Sequence, residues 1–291
     1  MNNTSTLESR FDLSPLTIDQ CRFFADLAQK VSRIRIDPSR EDFLRFRLSR
    51  RLRALDLKDF AAYEALLRSE NKGRELRNFI EAITTHTTSF FRESHQYEWL
   101  QNSGLQQICK KGVGIDRPLV VWSAACSTGA ELWSAAFILQ DTVETARGFR
   151  RYQLFGTDIS KAILKKAESA TYLGDEIKGV STEHLSKYFL KSKSAIDAQG
   201  SYLFRIVPEI RKNATFGYTN LTERTALPDI GADIVFLRNI LIYFNAAMQQ
   251  QAIDNVVSKM RTGGALLTGH SETIPSHPKL RSVGPSIYLK L

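Results

Sequence analysis

From residue 119 onward the chain alternates short apolar runs with helical stretches, and two of those runs end abruptly in small or polar residues. They are VVWSAACSTGAELWS at 120–134 and ADIVFLRNILIYF at 232–244. Alternating strands and helices predict an α/β fold, a Rossmann-like parallel sheet with helices on both faces. Such sheets present ligands at the carboxyl ends of their strands, so a nucleotide-like cofactor is expected there. LVVWSAA leads into a predicted helix at 129–140, YQLFGTDI into one at 161–170, and ADIVFLRN into one at 246–261. GALLTGH reads as a strand after the Gly263-Gly264 stop, and RSVGPSIYLKL as a final strand, antiparallel at the edge. Between Thr171 and Ala214 a helical patch, HLSKYFLKS, and an alternating run, SYLFRIVPEI, interrupt the pattern. They predict an inserted β-subdomain at about 172–213.

Upstream the pattern is helical from Ile18 to Glu93, in four stretches separated by breaks such as IDPS and ENKG. The division predicted is a small all-helical domain at 1–95, a Gly-rich polar linker at 96–117 and the sheet domain at 118–291. Within the helical part, REDFLRFRLSRRLRALDL sets Phe43, Leu44, Leu48, Leu52 and Leu55 at helical spacing. The opposite face is basic, with Arg45, Arg47, Arg50, Arg51 and Arg53. A solvated face and a docking surface for an acidic partner are both open readings of that stripe.

The chain has 291 residues, of which 43% are apolar and 24% charged, enough for a large core plus a small module. No apolar run approaches the roughly 20 residues that span a bilayer, and MNNTSTLESRF lacks the regions of a signal peptide. A cytoplasmic protein without membrane insertion is expected. Cys21, Cys109 and Cys126 fit neither a disulfide framework nor a zinc site, so no metal is expected and Cys126 reads as a packing residue. A formal charge of +9 points to an acidic partner: nucleic acid, anionic membrane or an acidic protein surface.

The loop after the first strand carries one glycine, Gly129, so the GxGxxG dinucleotide fingerprint is absent. Small residues at Ala124, Ala125, Ser127 and Thr128 still allow an adenosine-plus-amino-acid ligand to lie close to the chain. Glu131 can face the ammonium of such a ligand or serve as a helix-dipole carboxylate. Asp158, at the end of the second strand, can accept from ribose hydroxyls or cap the next helix. Asn220 can bond an adenine edge or turn the chain, and Tyr243 can face the ligand edge or be a buried aromatic. The run TTHTTSFFRES at 84–94 breaks the helical region with hydroxyl side chains, Phe90, Phe91 and Arg92, and suits a lid over a cofactor.

These segments resemble the signatures of the chemoreceptor glutamate O-methyltransferases, the CheR family. TTHTTSFFRES is similar to TTNxTxFFRE, WSAACSTGAELWS to WSAACSTGEEPYS, FGTDIS to an SDIS-type strand end, and FLRNILIYF to FCRNVLIYF. GGALLTGHSE resembles the GGxLxxGHSE segment and FRLSRRLRAL the RL-x-RRL helix, all in order from about residue 20 to the end. The resemblance implies a class I methyltransferase sheet that binds S-adenosylmethionine and releases S-adenosylhomocysteine. It implies cofactor contacts from His86, Thr88, Arg92, Ala125, Glu131, Asp158, Asn220, Leu221, Arg238 and Asn239. It places Arg92 and Tyr243 near the reacting methyl, and gives the arginine face a partner in the glutamate-rich cytoplasmic methylation region of chemoreceptors. The activity implied is methyl-ester formation on receptor glutamates for sensory adaptation, with no nucleic-acid partner.

The sequence departs from those signatures at His86, where the family has asparagine, at Ala130, and at Leu132-Trp133 in place of Pro-Tyr. The inserted subdomain also lacks the RGTG run that, in some members, marks tethering to a receptor's C-terminal peptide, so tethering is not carried over. Two other classes stay open: a regulatory module that binds the cofactor without transfer, and a nucleic-acid methyltransferase. Against the latter, no NPPY-type motif is present.

Overall fold

The computed structural model describes residues 15–110, 112–145, 149–197, 200–274 and 276–291. They form two compact units, one running to Thr85 and including Tyr243–Asn245, the other comprising His86–Ile242 and Ala246–Leu291.

The first unit contains four helices, α1 (Ile18–Ser32), α2 (Glu41–Leu55), α3 (Phe60–Arg68) and α4 (Gly73–Ile83). Thr17 starts α1 with a capping box, its hydroxyl accepting from Gln20 N, and Asp59 caps α3 through Ala62 N. The IDPS break is a turn in which Asp37 accepts from Ser39 N, and α2 begins just after it at Glu41. Leu44, Leu48 and Leu52 lie one turn apart on α2 and are fully buried against Phe24, Tyr63 and Phe79. Each leucine contributes roughly 2 kcal/mol of burial. Tyr243 packs at the margin of this core, and its carbonyl accepts from Arg35 N at 2.9 Å.

The second unit is a seven-stranded sheet in the order β6-β2-β1-β7-β8-β10-β9. Its strands are β1 (Leu119–Ser123), β2 (Tyr152–Asp158), β6 (Ala214–Tyr218), β7 (Ala232–Leu237), β8 (Met260–Thr268), β9 (Leu280–Gly284) and β10 (Ile287–Lys290). The first five neighbours pair in parallel and β10 pairs antiparallel with β8 and β9. All five residues of β1 and all six of β7 are buried, as central parallel strands require. Helix α7 (Ala130–Thr145) is buried on every side from Ala130 to Leu139, which explains its apolar sequence without a polar face. Helix α8 (Lys161–Ser169) is capped by Ser160, and α11 (Ala246–Ser258) precedes β8.

The inserted subdomain is a three-stranded antiparallel sheet, β3-β5-β4, formed by β3 (Thr171–Leu173), β4 (Phe189–Lys191) and β5 (Leu203–Ile206). Helix α9 (Thr182–Tyr188) lies within it, and the short α10 (Pro208–Arg211) follows. Four expectations change. The stretch expected as a linker at 96–117 carries α5 (Ser94–Trp99), a π-helical turn and α6 (Leu105–Ile108), with Tyr97, Leu100, Leu105, Ile108 and Val113 buried in the second unit's core. The division therefore falls at Thr85, ten residues before the expected boundary, because Phe90 and Tyr97 are part of that same core. The final strand is a hairpin, β9 and β10. Gly263-Gly264 does not stop β8 but sits inside it, where Gly263 takes φ +83° and a Cβ on Gly264 would meet Asp233 O at 2.8 Å.

Candidate functional site

Strand β1 is hydrogen-bonded to β2 on one side and β7 on the other, so their carboxyl ends share one edge. The residues at or just beyond those ends are Ala124-Ala125, Asp158 and Arg238-Asn239.

Arg238 is the electrostatic centre of this edge. Its side chain has no exposed surface, and its two terminal nitrogens reach Glu131 at 3.1 Å and Glu93 at 3.2 Å. The guanidinium also donates to Arg92 O at 2.6 Å and to the Tyr97 hydroxyl at 3.4 Å. Burial opposes its charge, but Glu131, Tyr97 and Glu93 more than offset this and hold the guanidinium more firmly protonated than usual. Glu131 shows the reverse balance. Burial raises its carboxyl above the ordinary range, and the attraction of Arg238 and Arg92 recovers only part of the shift. A buried carboxylate in that state has a strong electrostatic reason to accept a cationic ligand.

Asp158 closes β2, buried, with Ser127 N at 2.9 Å and Ser160 N at 3.0 Å on its two oxygens. Burial raises its carboxyl, and the hydrogen bond from Ser160 N and the field of His86 act against that. Asp158 therefore orders the start of α8, which Ser160 caps, and ties down the glycine loop. In that loop Ser127 is left-handed at φ +50° and its hydroxyl donates to His86 O at 3.1 Å. Gly129 takes φ +85°, and a Cβ there would lie 2.8 Å from the Trp133 indole nitrogen. Glycine is required at that position for both reasons. Cys126 is buried and its thiol is pushed well up by burial, consistent with a packing role.

The segment from His86 to Glu93 is a strap pinned to α7. Phe90 packs on Phe137 and Tyr172, and Phe91 N donates to the Ser134 hydroxyl at 2.9 Å. Arg92 donates to Thr87 O at 2.9 Å, while the Thr88 hydroxyl is buried with no hydrogen-bond partner among the described residues. The side-chain oxygen of Asn239 is likewise buried and unpartnered. Orphaned buried oxygens of this kind cost about 1–3 kcal/mol each unless a ligand satisfies them.

Asn220 departs from the adenine reading. Its oxygen accepts from Thr222 N and the Thr222 hydroxyl, and its amide donates to Glu223, so the side chain forms the turn. Leu221 beside it is buried, its carbonyl held by Asn255 at 2.9 Å. Tyr243 falls in the first unit. Of the arginine face, Arg51 forms a two-pronged bond with buried Glu75 at 2.9 and 2.7 Å and is only one-fifth exposed. Arg45 pairs with Glu41 and Asp42, and Arg47 donates to the Thr85 hydroxyl at 3.5 Å. Arg50 and Arg53 are exposed, Arg50 lying over the exposed ring of Phe46. Arg51 thus has an internal structural bond that charge patterning alone did not reveal.

Three residues of the site carried no individual sequence signal. Glu93 and Tyr97 hold Arg238, and Glu272 accepts from Asn239 N, Leu241 N and Gly269 N. Glu93 and Glu272 lie inside the FFRE and GHSE strings, which marked their positions but not their partners.

This donor set fits a zwitterionic nucleoside ligand: carboxylates for an ammonium and for ribose hydroxyls, a guanidinium for a carboxylate, and two unsatisfied oxygens. Comparison with known proteins agrees. The family described as the CheR methyltransferase SAM-binding domain matches residues 86–287, and the CheR all-alpha domain matches residues 19–84. The chain is 33% identical to a chemotaxis protein methyltransferase of Escherichia coli, over 98% of this chain and 95% of that one. It is 35% identical to a chemotaxis protein methyltransferase of Salmonella typhimurium, covering 80% and 76% of the two chains. Chemotaxis protein methyltransferase 2 of Vibrio cholerae is 32% identical over 88% and 85%.

Proposed function

Because the chain belongs to the CheR methyltransferase family, with an S-adenosylmethionine-binding domain of class I fold, we propose that it methylates glutamate side chains of chemoreceptors. When bound, S-adenosylmethionine supplies a methyl group activated by its sulfonium and leaves as S-adenosylhomocysteine. Glu131 takes the ammonium of the amino-acid end, and Arg92 and Arg238 offset the carboxylate. Asp158 accepts from the ribose hydroxyls, with His86 and Ala125 lining the same loop. Asn220 and Leu221 form the turn against the base, and the unpartnered oxygens of Thr88 and Asn239 accept the remaining donors.

The acceptor glutamate is already ionised near neutral pH, so no general base is needed. What the chain's own residues contribute is alignment and exclusion of water. Arg92 orients the acceptor carboxylate. The arginine face, led by exposed Arg50 and Arg53 with Arg47, steers the protein to the acidic cytoplasmic helices of the receptor. The enzyme accordingly acts in the cytoplasm.

The observation that carries this reading is the fully buried Arg238 clamped between Glu131 and Glu93 at the sheet edge that also bears Asp158. The test supplies methyl-labelled cofactor with receptor-bearing membranes and bulk RNA as competing acceptors. Label in the receptor is expected. Label in RNA, or cofactor binding with no transfer to either, sinks the proposal.

A further inference from the structure

We propose that Glu272 is a positioning residue for cofactor binding, acting through the backbone of Asn239 and Gly269. The inference rests on the reading of Asn239 as a cofactor-holding residue.

Glu272 is buried, yet among the described residues no lysine, arginine or histidine pairs with it. Backbone N–H groups satisfy it instead. One oxygen accepts from Asn239 N at 2.7 Å and Gly269 N at 2.8 Å, the other from Leu241 N at 2.7 Å and more weakly from Ile242 N at 3.4 Å. Its own backbone is fixed by Glu272 N donating to Gly269 O at 2.9 Å and by the Thr268 hydroxyl donating to Glu272 O at 3.0 Å. Converging N–H groups around an anion form a cradle, and here the protein fills it with its own carboxylate.

The location of this cradle argues for more than fold maintenance. Strands β7 and β8 pair through Leu237↔Thr268, so the sheet needs no carboxylate to hold them together. Glu272 extends the tie past both strand ends, into the turn that begins at Asn239. Asn239 is left-handed at φ +55°, a conformation that asparagine tolerates better than most residues and that the surrounding hydrogen bonds hold in place. Glu272 accepts the bond from its backbone N–H, and the side-chain oxygen so placed is the one left buried without a protein partner. Gly269 completes the arrangement from the other side, since a Cβ there would lie 2.7 Å from both Asn239 Nδ2 and Glu272 Oε2.

Glu272→Gln keeps the shape but sets an amide NH2 against two backbone donors. Gly269→Ala displaces the same two side chains sterically. For the full chain, calorimetry with S-adenosylhomocysteine should show each variant binding about tenfold more weakly. The KM for S-adenosylmethionine should rise by about the same factor while kcat changes less than about threefold. A merely structural role would lower the active fraction, and hence kcat, and leave KM unmoved. The double variant should lose little beyond the worse single one, because both act on Asn239. Far-UV circular dichroism checks folding, and if Glu272→Gln does not fold, Gly269→Ala compared with Asn239→Ala carries the test and should match it. A folded Glu272→Gln with affinity within about twofold of the parent, or losses that multiply in the double variant, overturns the proposal. Failure of the parent chain itself to bind would overturn the cofactor reading, and this inference with it.

Discussion

Replacing Arg238 by methionine removes the guanidinium that pairs directly with Glu131 and Glu93 at the sheet edge, and its cost follows from the contacts. The guanidinium is fully buried, makes ion pairs of 3.1 Å with Glu131 and 3.2 Å with Glu93, and donates to Arg92 O at 2.6 Å. Methionine fills a similar length of space, so little of the loss is cavity. The loss leaves buried Glu131 and half-buried Glu93 without their shared cation, about 3–5 kcal/mol. The pH dependence is the distinctive signature. Without the guanidinium, the folded-state value of Glu131, already raised by burial, rises further above the unfolded value of about 4.3. The folded variant then binds more protons than the unfolded chain, so its stability increases as pH falls. The deficit relative to the parent should be largest near neutrality and shrink as pH falls toward about 5. Urea unfolding at several pH values measures it, and Glu131→Gln in the same background should recover part of the loss. A deficit below about 1 kcal/mol, or one independent of pH, would refute the claim that Arg238 neutralises buried charge.

Gly129→Ala combines a left-handed backbone with a contact of 2.8 Å to Trp133 Nε1, and should cost about 2–3 kcal/mol in urea titration. A neutral result would mean the loop relaxes freely. Arg51→Met should cost about 2–3 kcal/mol, because Glu75 is buried and relies on it. Burial pushes Glu75 up, but hydrogen bonds from Arg51, Asn78 and Tyr63 outweigh it and leave its carboxyl below the usual range. In the parent its contribution is therefore present above about pH 4.3 and lost as pH falls through the folded-state value. Reversing Arg50 and Arg53 to glutamate should slow receptor methylation by about tenfold at low salt, with the difference fading at high salt. Equal rates at low salt would remove the docking role from this face.

The fold was legible where periodicity was strong. The buried strands β1 and β7, the Leu44–Leu48–Leu52 stripe and the interrupted pattern of the inserted subdomain all follow from residue spacing. The stretch 96–117 was not, because its glycines and polar residues mask Tyr97, Leu105 and Ile108, whose burial comes from tertiary packing. At the site, strand ends and short strings located Glu131, Asp158, Arg238 and Asn239. Their partners were illegible, since Glu93, Tyr97 and Glu272 reach Arg238 and Asn239 across 33 to 145 residues of sequence in bonds no local pattern encodes. Asn220 and Arg51 illustrate the converse: residue types suited to a ligand or partner are used to form a turn and an internal ion pair.

The central claim is that the buried charge cluster serves transfer of a methyl group to a carboxylate. Its most direct test is to map the methyl group on receptor protein after incubation with the chain and labelled S-adenosylmethionine. The account predicts label on glutamate side chains that mild base releases as methanol, and its loss when those glutamates are replaced by alanine. Base-stable label, or label that survives those replacements, would contradict it.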